Sequence, residues 1–123
     1  MLSKSGKELM LEKSMTLTDI QNEFSMLFPY LKLEFYTLRN SIKSSLNSSY
    51  LSKKLTDFNK RNKQDELCIT PEMSVTTLEY NFHSLFDLNI QIYRKCGKSW
   101  LETSATGEWS LLEQNAEGEA LGE

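Results

Sequence analysis

The feature of this sequence that most constrains its fold is an internal repeat. The segment 15–36 (MTLTDIQNEFSMLFPYLKLEFY) aligns with the segment 73–93 (MSVTTLEYNFHSLFDLNIQIY), with seven identical residues in 21 aligned pairs. The second segment lacks one residue, opposite Tyr30. Two copies of one pattern predict two similar units of secondary structure that bury their apolar sides together.

Each copy of the repeat predicts a helix followed by a strand. Apolar residues recur at helical spacing over 17–28 and over 75–86, and a hydroxyl residue suited to an N-cap precedes each run. Apolar and polar residues then alternate over 31–36 and over 89–93, which predicts strands with one buried face.

The second strand continues into a predicted β-hairpin. Cys96 and Gly97 stand at its turn, where glycine supplies a positive φ. This turn pairs Tyr93 with Trp100 on one face of the sheet and places Leu101 on the core face.

The order of elements predicts an α+β fold. We expect a two-layer sandwich, a four-stranded mixed sheet with helices on one face. A short strand over 66–70, the helix from 75 and the strand from 89 would form a right-handed βαβ crossover.

The domain organisation follows from the same pattern. Residues 15–115 are expected to form a single α+β domain, with a flexible N-terminal segment over 1–14 and an acidic flexible tail over 116–123. The serine-rich segment 38–54 is expected to be a polar insert, either a weak helix or a disordered linker.

Composition excludes several classes of protein. Charged residues make up 25% of the 123 residues and interrupt every apolar run, so no segment offers the 20 or so apolar residues of a membrane span. No secretory signal is recognisable near the N-terminus. Cys68 and Cys96 are too few for a disulfide framework. We therefore expect a cytoplasmic protein with free thiols and no membrane partner.

Charge is distributed unevenly along the chain. Residues 1–64 hold 11 Lys and Arg against 6 Asp and Glu, a net charge of +5, whereas residues 65–123 hold 3 against 11, a net charge of -8. The basic segment 39–63 is the region suited to a polyanion, although such a run also occurs as a solvated loop. Residues of this segment that would bind nucleic acid are Lys53, Lys54, Lys60, Arg61 and Lys63.

The sheet face opposite the helices is the main candidate for function. Aromatic side chains on this face would anchor a protein partner, stack on single-stranded nucleic acid, or pack beneath a terminal segment. We expect a non-catalytic interaction or structural module that binds a protein partner or a second copy of itself. The expected partner-binding residues are Tyr36, Tyr93, Arg94, Lys95, Trp100, Glu102 and Trp109.

The sequence offers little for catalysis. The one histidine, His83, follows Glu79 by four residues, a spacing that by itself is weak support for a metal site. Cys96 stands at a loop tip between lysines without a base nearby in sequence. The chain has no phosphate-binding glycine loop and no nucleophile elbow. We expect no enzymatic activity, no metal and no cofactor, with an enzyme ranked third after nucleic-acid binding.

Several motifs also carry a family resemblance. Three segments resemble a family of small uncharacterised bacterial cytoplasmic proteins of unknown function, FPYLKLEF at 28–35, WLETS at 100–104 and WSLLEQN at 109–115. The likeness covers residues 15–119 and departs from the family at Cys96 and at Gly107-Glu108, where the family has serine and acidic residues. The resemblance implies a bacterial cytoplasmic setting and no particular activity, cofactor or site.

Overall fold

A computed structural model describes residues 7–58 and 66–122, and in these residues it contains six strands and four α-helices. In chain order they are β1 (Leu9–Met10), α1 (Leu17–Leu27), β2 (Leu31–Arg39), β3 (Ile42–Ser45), α2 (Ser48–Leu51), β4 (Cys68–Ile69), α3 (Val75–Phe86), β5 (Asn89–Cys96), β6 (Ser99–Glu102) and α4 (Leu111–Leu121). Short 3-10 turns lie at Leu55–Phe58 and Ser104–Thr106. Within the described ranges, no helix is long and apolar enough to span a membrane.

The fold is α+β as expected, but the predicted mixed sheet is wrong. The main sheet has the order β3-β2-β5-β6, and all of its neighbouring strands are antiparallel. Strand β4, expected to join this sheet, pairs instead with β1 in a separate two-stranded antiparallel sheet. The fourth place is taken by β3, which joins β2 through a two-residue turn, and no βαβ crossover forms because β4 and β5 belong to different sheets.

The two long helices predicted from the repeat are confirmed. The Thr16 hydroxyl accepts a hydrogen bond from the Asp19 N–H at 3.0 Å, and the Asp19 carboxylate accepts one from the Thr16 N–H at 3.0 Å, so α1 begins with a capping box. Ser74 caps α3 by accepting from the Thr77 N–H at 3.0 Å. Asp87 ends α3 in the left-handed conformation with φ of 57°.

A single core joins the helices to one face of the main sheet. Phe24 of α1 and Phe82 of α3 are fully buried, and the Phe82 ring meets the edge of Phe35 of β2 at 5.7 Å between centroids. On the same face of the sheet, Arg94 donates a hydrogen bond to Gln114 of α4 at 2.8 Å. The three long helices therefore lie on one side of the sheet, and we call the opposite side the outer face.

The hairpin between β5 and β6 has a different register from the expected one. Its turn is Gly97-Lys98, so Trp100 pairs with Lys95 and Tyr93 pairs with Glu102. The shift of two residues preserves the face on which each side chain lies, because strand side chains alternate with a period of two. The positive φ expected at Gly97 is confirmed at 59°.

Other segments are more ordered than their composition indicated. The expected insert 38–54 contains β3 and α2, and α2 begins at an Asn47 cap whose side chain accepts from the Tyr50 N–H at 3.0 Å. Residues 9–10, within the expected flexible N-terminus, form β1. Helix α4 begins with a capping box and continues to residue 121, into the expected tail. Leu101, expected in the core, is 44% exposed on the edge strand β6.

The two halves of the chain, 9–58 and 67–122, make matching backbone hydrogen bonds. Four matching pairs, with the donor residue first, are Leu17–Lys53 with Val75–Trp109, Leu55–Met15 with Leu111–Met73, Thr56–Lys13 with Leu112–Pro71, and Leu46–Phe35 with Thr103–Ile92. In the main sheet Glu34 lies opposite Gln91, the residue with which it aligns in the repeat. Two copies related by an approximate twofold axis between β2 and β5 would have this register.

Candidate functional site

The outer face is formed by alternate side chains of four strands. The alternation predicted from sequence places Tyr36, Tyr93 and Trp100 on this face, because Lys32 pairs with Tyr93 and Lys95 pairs with Trp100. The members used below are Lys32, Glu34, Tyr36, Lys43, Gln91, Tyr93, Lys95, Trp100 and Glu102.

Lysine ammonium groups lie against the rings at the β6 side of the outer face. The Nζ atom of Lys32 is 5.4 Å from the centroid of Tyr93 and 5.2 Å from that of Trp100. The Nζ atom of Lys95 lies 5.0 Å from the Trp100 centroid. Glu34 pairs with Lys32 at 3.9 Å. These contacts hold the two rings in place by cation–π attraction without burying them in the core.

A second cluster lies at the β3 side of the outer face. The Nζ atom of Lys43 is 4.9 Å from the ring centroid of Tyr36 and donates a hydrogen bond to Gln91 Oε1 at 2.7 Å. Gln91 is only 4% exposed, and its Nε2 donates to the Ile92 carbonyl at 3.2 Å. A buried amide with both ends bonded links the strands of this face.

Both tyrosines of the outer face keep their protons at neutral pH. Burial raises the pKa of Tyr36, and the nearby carboxylates of Glu79 and Glu102 raise it further. Burial also raises the pKa of Tyr93, with additional contributions from Glu102 and Glu34. The two hydroxyl groups are therefore available as hydrogen-bond donors to a partner.

Glu79 of α3 is an unusual neighbour of this face. Loss of solvent raises the pKa of its carboxyl group, and the positive charge of Lys43 opposes this rise. The residue aligned with it in the first copy is Gln21, whose Nε2 donates a hydrogen bond to the Leu33 carbonyl at 3.1 Å. A carboxylate thus replaces an amide donor at the same place in the repeat.

The structure brings together five of the seven partner-binding residues expected from sequence. Tyr36, Tyr93, Lys95, Trp100 and Glu102 share the outer face. The other two lie on the helix side of the sheet, where the Arg94 guanidinium is 5.5 Å from the ring centroid of Trp109. The carbonyl of Trp109 accepts the Val75 N–H, so this residue is part of the junction between α3 and α4.

Sequence reasoning missed the role of Lys43 in the outer face. It placed this residue in a basic insert, whereas the structure places it on β3 beside Tyr36. The signal available in the sequence was the dipeptide Asn40-Ser41. In the structure it forms the two-residue turn between β2 and β3, with both residues at positive φ.

The residues expected to bind nucleic acid are only partly described. Lys53 lies near the N-terminus of α1, where its carbonyl accepts the Leu17 N–H, and its Nζ atom is 5.2 Å from the ring centroid of Tyr50. The backbone N–H of Lys54 donates to Asp57 at 3.0 Å. The remaining three residues, Lys60, Arg61 and Lys63, lie outside the described residues.

The groups considered for catalysis are dispersed. His83 points to Asp87 at 4.0 Å, and both side chains are more than half exposed. Cys68 donates to Glu8 at 3.4 Å, and burial together with this bond raises the pKa of its thiol, which disfavours the reactive thiolate. In the two described ranges, no three His, Cys, Asp or Glu side chains converge as metal ligands would.

Comparison with known proteins adds no assignment. The chain matches no protein-family model, no curated protein and no solved structure. Its function is therefore inferred from the geometry of the outer face, which presents aromatic rings, lysines and carboxylates suited to recognition.

Proposed function

We propose that this protein is a non-catalytic interaction module that binds a protein partner through its outer face. One observation carries the proposal: Tyr36, Tyr93 and Trp100 lie on a single sheet surface, on the side away from the three long helices. Large aromatic side chains at partly exposed positions are typical anchors of protein interfaces.

The charges of the outer face favour a protein over a nucleic acid. Lysines and carboxylates alternate across it, so a partner surface of mixed charge is complementary. Glu34 and Glu102 would repel phosphate groups. Lysine ammonium groups lie against the ring of Trp100, where a base would have to stack.

The decisive experiment removes the two central anchors. The double variant Tyr93→Ala/Trp100→Ala is expected to lose capture of a stoichiometric protein partner from host lysate, or to lose self-association in sedimentation equilibrium. Neither ring belongs to the buried core, so the circular dichroism spectrum should be unchanged. Tyr80→Ala is the matched control, because Tyr80 is an aromatic residue 67% exposed on α3.

Two results would decide against the outer face. Capture and self-association that are both unaffected by the double variant would refute the proposal. An equal loss with Tyr80→Ala would show that the effect does not depend on this surface. Treating the lysate with nuclease identifies any association that depends on nucleic acid.

The alternative proposal is nucleic-acid binding through the basic segment 39–63. It is favoured by the basic residues of this segment and by Tyr50, which is 45% exposed and stacks on the partly buried Phe58 with 6.3 Å between ring centroids. Charge reversal at Lys53, Lys54, Lys60 and Arg61 should then abolish binding to a single-stranded oligonucleotide, together with its salt dependence.

The internal repeat is part of the same proposal. The matching hydrogen bonds of the two halves, and the pairing of Glu34 with Gln91, support an origin by duplication of one helix–hairpin unit. The outer face lies across the junction of the two units, with Tyr36 from the first and Tyr93 from the second at aligned positions. Duplication thus supplies a pair of similar anchors on one surface.

A further inference from the structure

A groove of about 430 Å³ lies beside the first hairpin, and its lining also includes Tyr36 of the outer face and Asn89 at the start of β5. Thr37 and Arg39 of β2 line one wall, and Tyr50 and Phe58 line another. Leu88, at the turn between α3 and β5, is also part of the lining. The Tyr50 ring is 45% exposed and is stacked on Phe58, so the groove has an aromatic wall that is accessible to solvent.

In the second half of the chain, helix α4 lies beside the second hairpin. The Asn115 side chain accepts the Tyr30 N–H at 2.8 Å, and the carbonyl of Leu121 accepts the Gly97 N–H at 2.8 Å. Gly118 is buried, and a Cβ atom placed there would lie 2.9 Å from the Tyr30 Cβ. The helix thus contacts the hairpin turn and the turn that joins α1 to β2.

The groove occupies the corresponding place in the first half. The two hairpin turns begin at Asn40 and Gly97, both with positive φ. The chain that follows each hairpin is fixed by the same hydrogen bond, from Leu55 to Met15 in one half and from Leu111 to Met73 in the other. Three residues after these matched donors, Phe58 at the groove corresponds to Gln114 of α4, which packs beside the second hairpin.

We infer that the groove is a docking site for an acidic amphipathic helix of a partner protein. The position of α4 in the second half shows which kind of element fits such a place against a hairpin and an adjoining turn. An apolar residue of the partner helix would pack on Tyr50 and Phe58, as helix-in-groove complexes use apolar anchors spaced by one turn. The groove adjoins the outer face and shares Tyr36 with it, but it does not include Tyr93 or Trp100, the two central anchors of the proposed function.

The charge of the partner helix follows from the groove. Arg39 lines it, and the Lys53 ammonium lies over the face of Tyr50 at its wall, while Asp87 is the carboxylate in the lining. Arg39 and Asp87 balance each other within the lining, and the Lys53 ammonium beside Tyr50 supplies the additional positive charge that favours acidic residues on the partner helix. Helix α4 has this composition, with Glu113, Glu117 and Glu119 among its residues.

A peptide with the sequence of residues 109–122 is the probe for this site. We expect it to bind the ¹⁵N-labelled full chain saturably, with amide shifts concentrated at Thr37, Tyr50, Phe58 and Leu88. Arg39→Glu and Tyr50→Ala should each weaken binding by about tenfold, which corresponds to about 1.4 kcal/mol. Lys98→Glu is the matched control, because it reverses an exposed charge at the other hairpin.

Three results would overturn the inference. The first is an absence of shifts up to about 1 mM peptide, the weak limit of specific binding, as expected if the chain itself fills the groove. The second is a set of amide shifts at Tyr30 and Gly97, which would mean that the peptide displaces α4 from its position beside the second hairpin. The third is equal binding of a peptide carrying E113K, E117K and E119K. Binding that persists in Tyr93→Ala/Trp100→Ala separates this site from the outer face.

Discussion

The first and second halves of the chain make matching backbone hydrogen bonds but differ in the element that follows these bonds beside the hairpin. In each half a residue forms an isolated β-bridge with the helix N-cap, Lys54 with Thr16 and Ser110 with Ser74. The next residue donates to a methionine carbonyl, Leu55 to Met15 and Leu111 to Met73. The second half then continues as the eleven-residue helix α4, whereas the first half forms a 3-10 turn at Leu55–Phe58. In the residues that the structure describes, the matching hydrogen bonds are therefore followed by α4 in the second half, whereas a groove lies beside the 3-10 turn of the first half.

The halves also differ inside the core that they share. The ring pair Phe24–Phe28, at the C-terminal end of α1, corresponds to Phe82–Phe86 in α3, with centroids 5.2 and 6.2 Å apart. Phe82 has a further ring contact with Phe35, which belongs to the other half. The second helix is thus in contact with the first half, within the single core that both halves share.

The largest expected effect tests this shared core. Phe82→Ala should lower the free energy of unfolding by about 3–5 kcal/mol, and Phe24→Ala by about 0.5–1.5 kcal/mol less, because Phe24 has one fewer ring contact. Urea denaturation followed by circular dichroism measures both losses. Should the alanine variants fail to fold, the leucine variants give the same order.

Two results would contradict this prediction. Separate unfolding transitions for the two halves would show that they do not share one core. A larger loss for Phe24→Ala than for Phe82→Ala would show that the contact with Phe35 does not matter. Met26→Ala is the control, since Met26 is 75% exposed on α1 and should have almost no effect.

An intermediate effect is expected where α4 closes the second half. Gly118→Ala should destabilise the protein by about 1–3 kcal/mol, because the new Cβ would lie 2.9 Å from the Tyr30 Cβ and 3.0 Å from its carbonyl oxygen. An increase in stability, as helix propensity alone predicts, would contradict the close approach. Glu119→Ala on the exposed side of α4 is the control and should be nearly neutral in thermal unfolding.

The smallest expected effect concerns Glu79 and its aligned counterpart Gln21. Because burial raises the pKa of Glu79, the folded state binds this proton more tightly than the unfolded chain does. The stability gained from protonation of the Glu79 carboxyl group is fully present below the ordinary glutamate pKa and is lost as the pH rises through the raised pKa of the folded state. At neutral pH, Glu79→Gln should therefore stabilise the protein by up to about 1 kcal/mol, a figure reduced by the remaining solvent exposure.

The pH dependence distinguishes this cause from a general change in surface charge. The difference between Glu79→Gln and the wild type should disappear as the pH falls below the ordinary glutamate pKa. Glu72→Gln, at an exposed carboxylate just before α3, should show no such gain. A destabilising effect of Glu79→Gln at neutral pH would mean that the attraction to Lys43 outweighs the loss of solvent.

Local patterns in the sequence predicted much of the fold. The apolar spacing and the hydroxyl caps gave α1 and α3 correctly, and alternation placed Tyr36, Tyr93 and Trp100 on one face. The same alternation assigns Arg94 to the helix side, where it meets Trp109. Periodicity succeeds here because each pattern depends on neighbours only a few residues away.

The errors concern contacts between distant residues. Strand β4 at 68–69 lies within the strand predicted over 66–70, but it pairs with Leu9–Met10 and not with the main sheet. The hairpin turn lies one residue later than expected, because glycine accepts a positive φ at either turn position, and this moves the strand pairing by two residues. The shift changed pairing partners but not faces.

The sequence by itself determined the two helix–strand units, the aromatic character of one sheet face and the uneven charge of the two halves. Only the tertiary structure decided the antiparallel strand order, the packing of α4 beside the second hairpin and the groove beside the first hairpin. The physical reason is range: helix caps and side-chain alternation are set within a few residues, whereas strand pairing and helix docking depend on the surface that distant segments bury together.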